Sequence, residues 1–81
     1  MVMTEAQERV LAVLEPGGML TVDQIARDAE LTKHRTRTAV IALQSRGLVV
    51  PCVRSCAGRY QITGRGRGKV AALRRRPVTV W

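Results

Sequence analysis

The chain has no phenylalanine, and Tyr60 and Trp81 are its only aromatic residues. Readers of single-stranded nucleic acid stack bases on several rings, so this scarcity counts against an RNA-recognition or single-strand-binding sheet. Acid is missing from a long stretch: Glu5, Glu8, Glu15, Asp23, Asp28 and Glu30 are all the carboxylates there are, and none follows Glu30. With one histidine and no paired carboxylates, nothing supplies a general acid and base couple, and 81 residues leave no room for a cleft between lobes. An enzyme is not expected. Cys52, Cys56 and a distant His34 fall short of the four or so ligands of a zinc site, so neither a metal nor another cofactor is expected. The cysteines are expected as reduced thiols, a bridge across the turn being less favoured where nothing near Met1 resembles an export signal. No window approaches the roughly 18 apolar residues that span a bilayer. The expected setting is cytoplasmic, with no membrane partner.

What is present is a foldable but strongly polarised chain. Apolar residues make up 46%, drawn almost wholly from Val, Leu, Ile, Ala and Met, enough for one small core. Up to Leu31, six carboxylates face only Arg9 and Arg27, whereas the remaining fifty residues carry twelve Lys and Arg and no acid. A protein that needed only solubility would mix its signs. A span this long without a carboxylate points to a polyanionic partner.

The local signals come in order. Thr4 with Gln7 forms a capping-box pattern that opens a first helix, Ala6, Val10, Leu11, Val13 and Leu14 give it an apolar stripe, and Pro16-Gly17-Gly18 ends it. Met19 and Leu20 are extended, too few for more than a bridge to a later hairpin. Thr21 with Gln24 repeats the capping box for a second helix whose Val22, Ile25, Ala26 and Ala29 turn inward. Leu31 pins the turn that follows.

Thr32 then caps the helix on which the functional reading rests, expected over residues 32–46. If Thr36, Ala39, Val40 and Leu43 point inward, the 3.6-residue period turns Lys33, His34, Arg37, Thr38 and Ile41 outward, with Arg35 at the flank. A cationic, polar first half suits a helix that enters a DNA major groove, where bases present acceptors and phosphates line the rims. A solvated amphipathic helix is the plain alternative. Gly47 sits where a helix needs a left-handed residue to stop. The wing is expected over residues 48–63: Leu48 to Val53 form an edge or bulged strand because of Pro51, and Tyr60 and Ile62 return on one face. Arg54 and Arg59 are expected to face each other across the hairpin turn, where a phosphate between them would relieve their repulsion. Thr63 caps a last helix, GRGRGKVAALRRR, whose three glycines predict a late or frayed start and whose Val70, Ala71 and Leu73 supply a small apolar face. Arg65 and Arg67 belong to an Arg-Gly run of the kind that contacts nucleic acid. The Pro77–Trp81 tail leaves apolar side chains to dock on the chain's own core or on a second subunit.

The order helix, short strand, helix, helix, hairpin, helix resembles a winged helix-turn-helix, and residues 20–49 and the YQITGRG of residues 60–66 look like those of MarR-type regulators, whose wing ends in Y-x-L-T-x-x-G. The resemblance implies a mainly α fold with a three-helix core, a two-stranded wing and a short C-terminal helix, in a domain over residues 1–76 followed by a tail at 77–81. It also implies a DNA-binding transcriptional regulator in which Thr32, Lys33, His34, Arg35, Arg37 and Thr38 meet the major groove while Arg54 and Arg59 ride on the wing. Three departures from the family pattern stand out. These 81 residues hold no counterpart of the long flanking helices that build the family's dimer and ligand pocket, Thr36 replaces an apolar core residue, and the last helix starts rich in glycine. Double-stranded DNA is the expected partner, met by a monomer or by a homodimer formed through the first helix and the tail. The competing readings are a winged-helix module that docks its basic face on an acidic host protein, as a phage-type inhibitor would, and a structured-RNA binder.

Overall fold

The computed structural model describes residues 3–52 and 58–74. Four helices and three short strands follow one another as α1 (Glu5–Leu14), β1 (Leu20–Thr21), α2 (Val22–Ala29), α3 (Lys33–Ser45), β2 (Val49–Pro51), β3 (Arg59–Ile62) and α4 (Gly64–Arg74). Both expected capping boxes form: the hydroxyls of Thr4 and Thr21 accept from the amides of Gln7 and Gln24, whose side chains accept from the threonine amides in return. Acidic residues in the first turns of α1 and α2 add a favourable dipole interaction.

The strands form one antiparallel sheet in the order β1-β3-β2, so the two-stranded wing is widened by β1. Leu20 pairs with Tyr60 and Thr21 with Arg59, while Val49, Val50 and Pro51 pair with Ile62, Gln61 and Tyr60. Pro51 lies on an edge strand, where its missing N–H costs no ladder bond. The wing departs from expectation at Cys52. Arg59 stands opposite Cys52, whose amide donates to the Arg59 carbonyl at 2.8 Å, while Arg54, its expected partner across the turn, lies outside the described residues. Cys52 is disulfide-bonded rather than a reduced thiol, in a sequence whose only other cysteine is Cys56.

The core runs between the three-helix unit and the inner face of the sheet. Val10, Leu11 and Leu14 of α1, Ile25 of α2, Ala39, Val40 and Leu43 of α3, Leu48, Val49 and Ile62 of the wing base, and Val70 of α4 are buried together, joined by Met3 ahead of α1. Val22 is only half-buried, because it sits at the start of α2 beside the sheet edge. Tyr60 and Leu73 pack partly against this core.

The last helix starts at once instead of late. Thr63 explains this, since its hydroxyl accepts from the Gly66 amide at 3.0 Å and donates to the Gly47 carbonyl at 2.8 Å. Gly66 is buried against the start of the wing, where a Cβ would collide with the Leu48 carbonyl oxygen and come within 2.6 Å of Ile62 Cγ1. The glycine therefore lets α4 dock on backbone. Gly68 meets nothing within 4 Å and has no such duty.

Opposite responses to the same substitution follow. Gly68→Ala should raise stability by about 0.5–1 kcal/mol through helix propensity. Gly66→Ala should lower it by roughly 1–3 kcal/mol, because backbone must shift to admit the methyl group. Denaturant midpoints of the two variants measure the contrast.

Candidate nucleic-acid interface

α3 is placed by its neighbours before any of its charges matter. Thr36, Ala39, Val40 and Leu43 are its buried residues, the four assigned by periodicity, and they pack it against both α1 and α2. Thr36 is fully buried yet satisfied, its hydroxyl donating to the Thr32 carbonyl at 2.9 Å. A polar residue is tolerated in that core position because its one proton has a local acceptor.

The turn before α3 fixes its direction. Glu30 adopts a left-handed conformation (φ 57°) as the C-cap of α2, the Leu31 amide donates to the Ala26 carbonyl at 2.9 Å, and Leu31 packs on the core. α3 ends by the same device, with Gly47 at φ 74° and the Leu48 amide donating to the Leu43 carbonyl at 3.0 Å. These are two Schellman closures, one on the usual glycine and one on a glutamate. Helix-end signals based on Gly or Asn pass over a glutamate in that role.

With one face buried and both ends fixed, the basic first turns have only solvent to enter. Thr32 caps them, accepting from the Arg35 amide at 3.1 Å. Lys33, His34, Arg35, Arg37 and Thr38 are all exposed, and they fan around the helix. On one flank Lys33 Nζ lies 3.0 Å from the Asp23 carboxylate of α2. On the other, His34, Arg35 and Thr38 line a cleft of about 320 Å³ shared with Thr4 and Gln7 at the start of α1. Between the flanks, Arg37 projects with no partner among the described residues. The Thr38 hydroxyl donates to the His34 carbonyl at 3.1 Å, so toward solvent it offers lone pairs.

Two further residues on this face went unassigned in the sequence. Ile41, four residues beyond Arg37, is 58% exposed, an apolar group on the same outward stripe. The period places it outward, as the structure does. Asp23 is the other: no sequence spacing relates a residue of α2 to one of α3.

The remaining candidates are not gathered here. Arg59 is exposed on the central strand between Thr21 and Cys52, and Arg54 lies outside the described residues, as does the expected docking of Pro77–Trp81. Arg67 donates to the Glu15 carbonyl at 2.9 Å, closing the C-terminal end of α1. The Arg65 guanidinium lies beside Gly47, 3.7 Å from where a Cβ would be. Both arginines therefore sit at C-terminal helix ends, while Lys33 to Thr38 begin α3.

Helix, strand, two helices joined by a tight turn, hairpin and helix, with the second helix of the pair exposing its polar face, define a winged helix-turn-helix. Solved structures agree. A MarR-family transcriptional regulator from Silicibacter pomeroyi superposes with a TM-score of 0.81 at 26% identity, over 88% of this chain and 49% of that one. A second from Silicibacter pomeroyi DSS gives 0.81 at 25%, over 89% and 49%. Bordetella bronchiseptica BpsR, a protein whose DNA binding is regulated by 6-hydroxynicotinic acid, gives 0.79 at 21%, over 86% and 52%. The chain thus spans about half the length of these relatives. No family model matches the sequence, and no curated protein does.

The two helix closures predict a difference that stability measurements can read. Glu30→Gly should raise Tm by a few degrees, since relief of about 1 kcal/mol or more of left-handed strain exceeds the extra chain entropy of glycine. Glu30→Gln, which removes charge and keeps the Cβ, should leave Tm nearly unchanged.

Proposed function

We propose that the chain is a sequence-specific double-stranded DNA-binding protein that acts as a transcriptional regulator, with α3 in the major groove and the wing, residues 48–63, along the backbone. The observation that carries this is the division of α3: its inward face is committed to the core, and the first turns project Lys33, His34, Arg35, Arg37 and Thr38 from a rigid mount. Arg37, central and unpaired among the described residues, reads a guanine through O6 and N7. Lys33 and Arg35, on the flanks, meet the phosphates of the two groove rims. Thr32 holds the helix start in position, and Thr38 accepts from a base amino group. Arg59, with Arg54, neutralises phosphate from the wing. The solved relatives, described as transcriptional regulators, support the reading. A homodimer through α1 and the tail would need recognition helices about 34 Å apart.

Selection of bound duplexes from a random pool tests the proposal. An enriched motif is expected, palindromic for a dimer and single for a monomer, and no enrichment would remove sequence-specific binding. Arg37→Ala should cost about 1–3 kcal/mol on the enriched site and relax preference at one base pair. Arg59→Ala should instead weaken all duplexes alike and reduce the salt slope by about one.

Asp23 tunes the same surface. Its carboxylate occupies Lys33 and repels phosphate, so Asp23→Asn should tighten binding to every duplex severalfold and narrow the gap between the enriched site and random DNA. Titrations of both duplexes at two salt concentrations give the measurement. A weaker enriched-site complex would mean that Asp23 touches a base.

A further inference from the structure

We infer that the C-terminal end of α3 and the first turns of α4 form a second polyanion site, one that takes the phosphate backbone of another duplex segment while the start of α3 is engaged. The inference rests on groove entry by α3, as proposed above.

Arg46, Arg65 and Lys69 converge on a shallow cleft of about 370 Å³, floored by Leu48, Gly68 and Ala72. Among the described residues, no carboxylate lies within ion-pair distance of any of the three, whereas Arg9 and Lys33 both have one. The arrangement is unfavourable by itself. Arg65 stands in the first turn of α4, where the helix dipole disfavours a cation, and Arg65 and Lys69 are like charges four residues apart on one helix. The C-terminal dipole of α3, close to Arg46 and to the Arg65 guanidinium, offsets only part of this. An external polyanion would reverse every one of these costs.

That polyanion is not the duplex that α3 enters. The 13 residues of α3, at about 1.5 Å each, make it roughly 20 Å long. A major groove is about 8.5 Å deep, so a helix entering by its N-terminal end leaves its far end well outside the flanking phosphates. An acidic protein surface is the competing partner. Protein interfaces centre on exposed anchors of large side chains, and the only large apolar residue of this cleft, Leu48, is 5% exposed. Cations over a closed floor suit phosphates, which need charge alone. Bound at both ends of α3, the molecule would bridge two stretches of DNA.

A two-step capture tests this on the full chain. Protein is first loaded on an immobilised duplex carrying the enriched site, and a labelled duplex of unrelated sequence is then added. Wild type should retain the second duplex. The combined variant Arg46→Gln, Arg65→Gln, Lys69→Gln should retain about tenfold less of it while losing under about threefold in affinity for the first. Circular dichroism monitors folding, and Lys69→Glu, a single change at an exposed position, supplies a second variant expected to behave likewise. Bridging is overturned if wild type loads on the first duplex and never retains the second, or if retention survives both variants. It is also overturned if the variants weaken both steps equally, which would put the cluster on the first duplex, or if wild type binds polyglutamate more tightly than the labelled duplex. Failure of groove entry itself appears at the loading step, before the second duplex is present.

Discussion

The surface of α3 is decided by what its other side touches. Once Thr36, Ala39, Val40 and Leu43 are packed against α1 and α2, every remaining position is assigned by the 3.6-residue period, and the basic residues of the first turns have nowhere to go but outward. Burying a Val or Leu side chain contributes roughly 1.5–3 kcal/mol, more than an exposed ion pair can. Apolar contacts therefore set the orientation, and charges are carried along with it. The pairing of Lys33 with Asp23 is a consequence of this placement rather than a cause of it.

The same priority explains how the helix is held at its ends. A lever that presents side chains to a ligand must not rock, and both closures of the Schellman type tie a helix end to a following leucine in or against the core. At the first of them the chain accepts a strained glutamate, which places a carboxylate one turn before the cationic run.

Much of this was legible in the sequence, for a physical reason. Thr4, Thr21 and Thr32 cap the three helices they precede because capping is local, and the inward residues of α3 follow from a period that needs no knowledge of neighbours. Gly47 ends its helix for the same kind of reason. What escaped depends on distant partners. The late start expected of α4 follows from glycine propensity alone, and it is overruled by Thr63 and by the close approach of Gly66 to Leu48, contacts made across the fold. Strand register, which places Arg59 opposite Cys52, is likewise set by pairing between strands and not by local sequence. Arg65 and Arg67 read as one nucleic-acid run, yet the structure sends Arg65 to the end of α3 and Arg67 to the end of α1, because residues two apart on a helix do not share a face.

Thr63 joins these observations. Its single oxygen serves the last carbonyl region of α3 and the opening turn of α4 together, so neither end can loosen without releasing the other. Fluctuations at the base of the hairpin should consequently be shared between two helices, with amide protons there exchanging with solvent as one cooperative unit instead of fraying separately. A hydroxyl of this kind turns a flexible junction into a stiff corner, and the sheet that hangs from it inherits that stiffness.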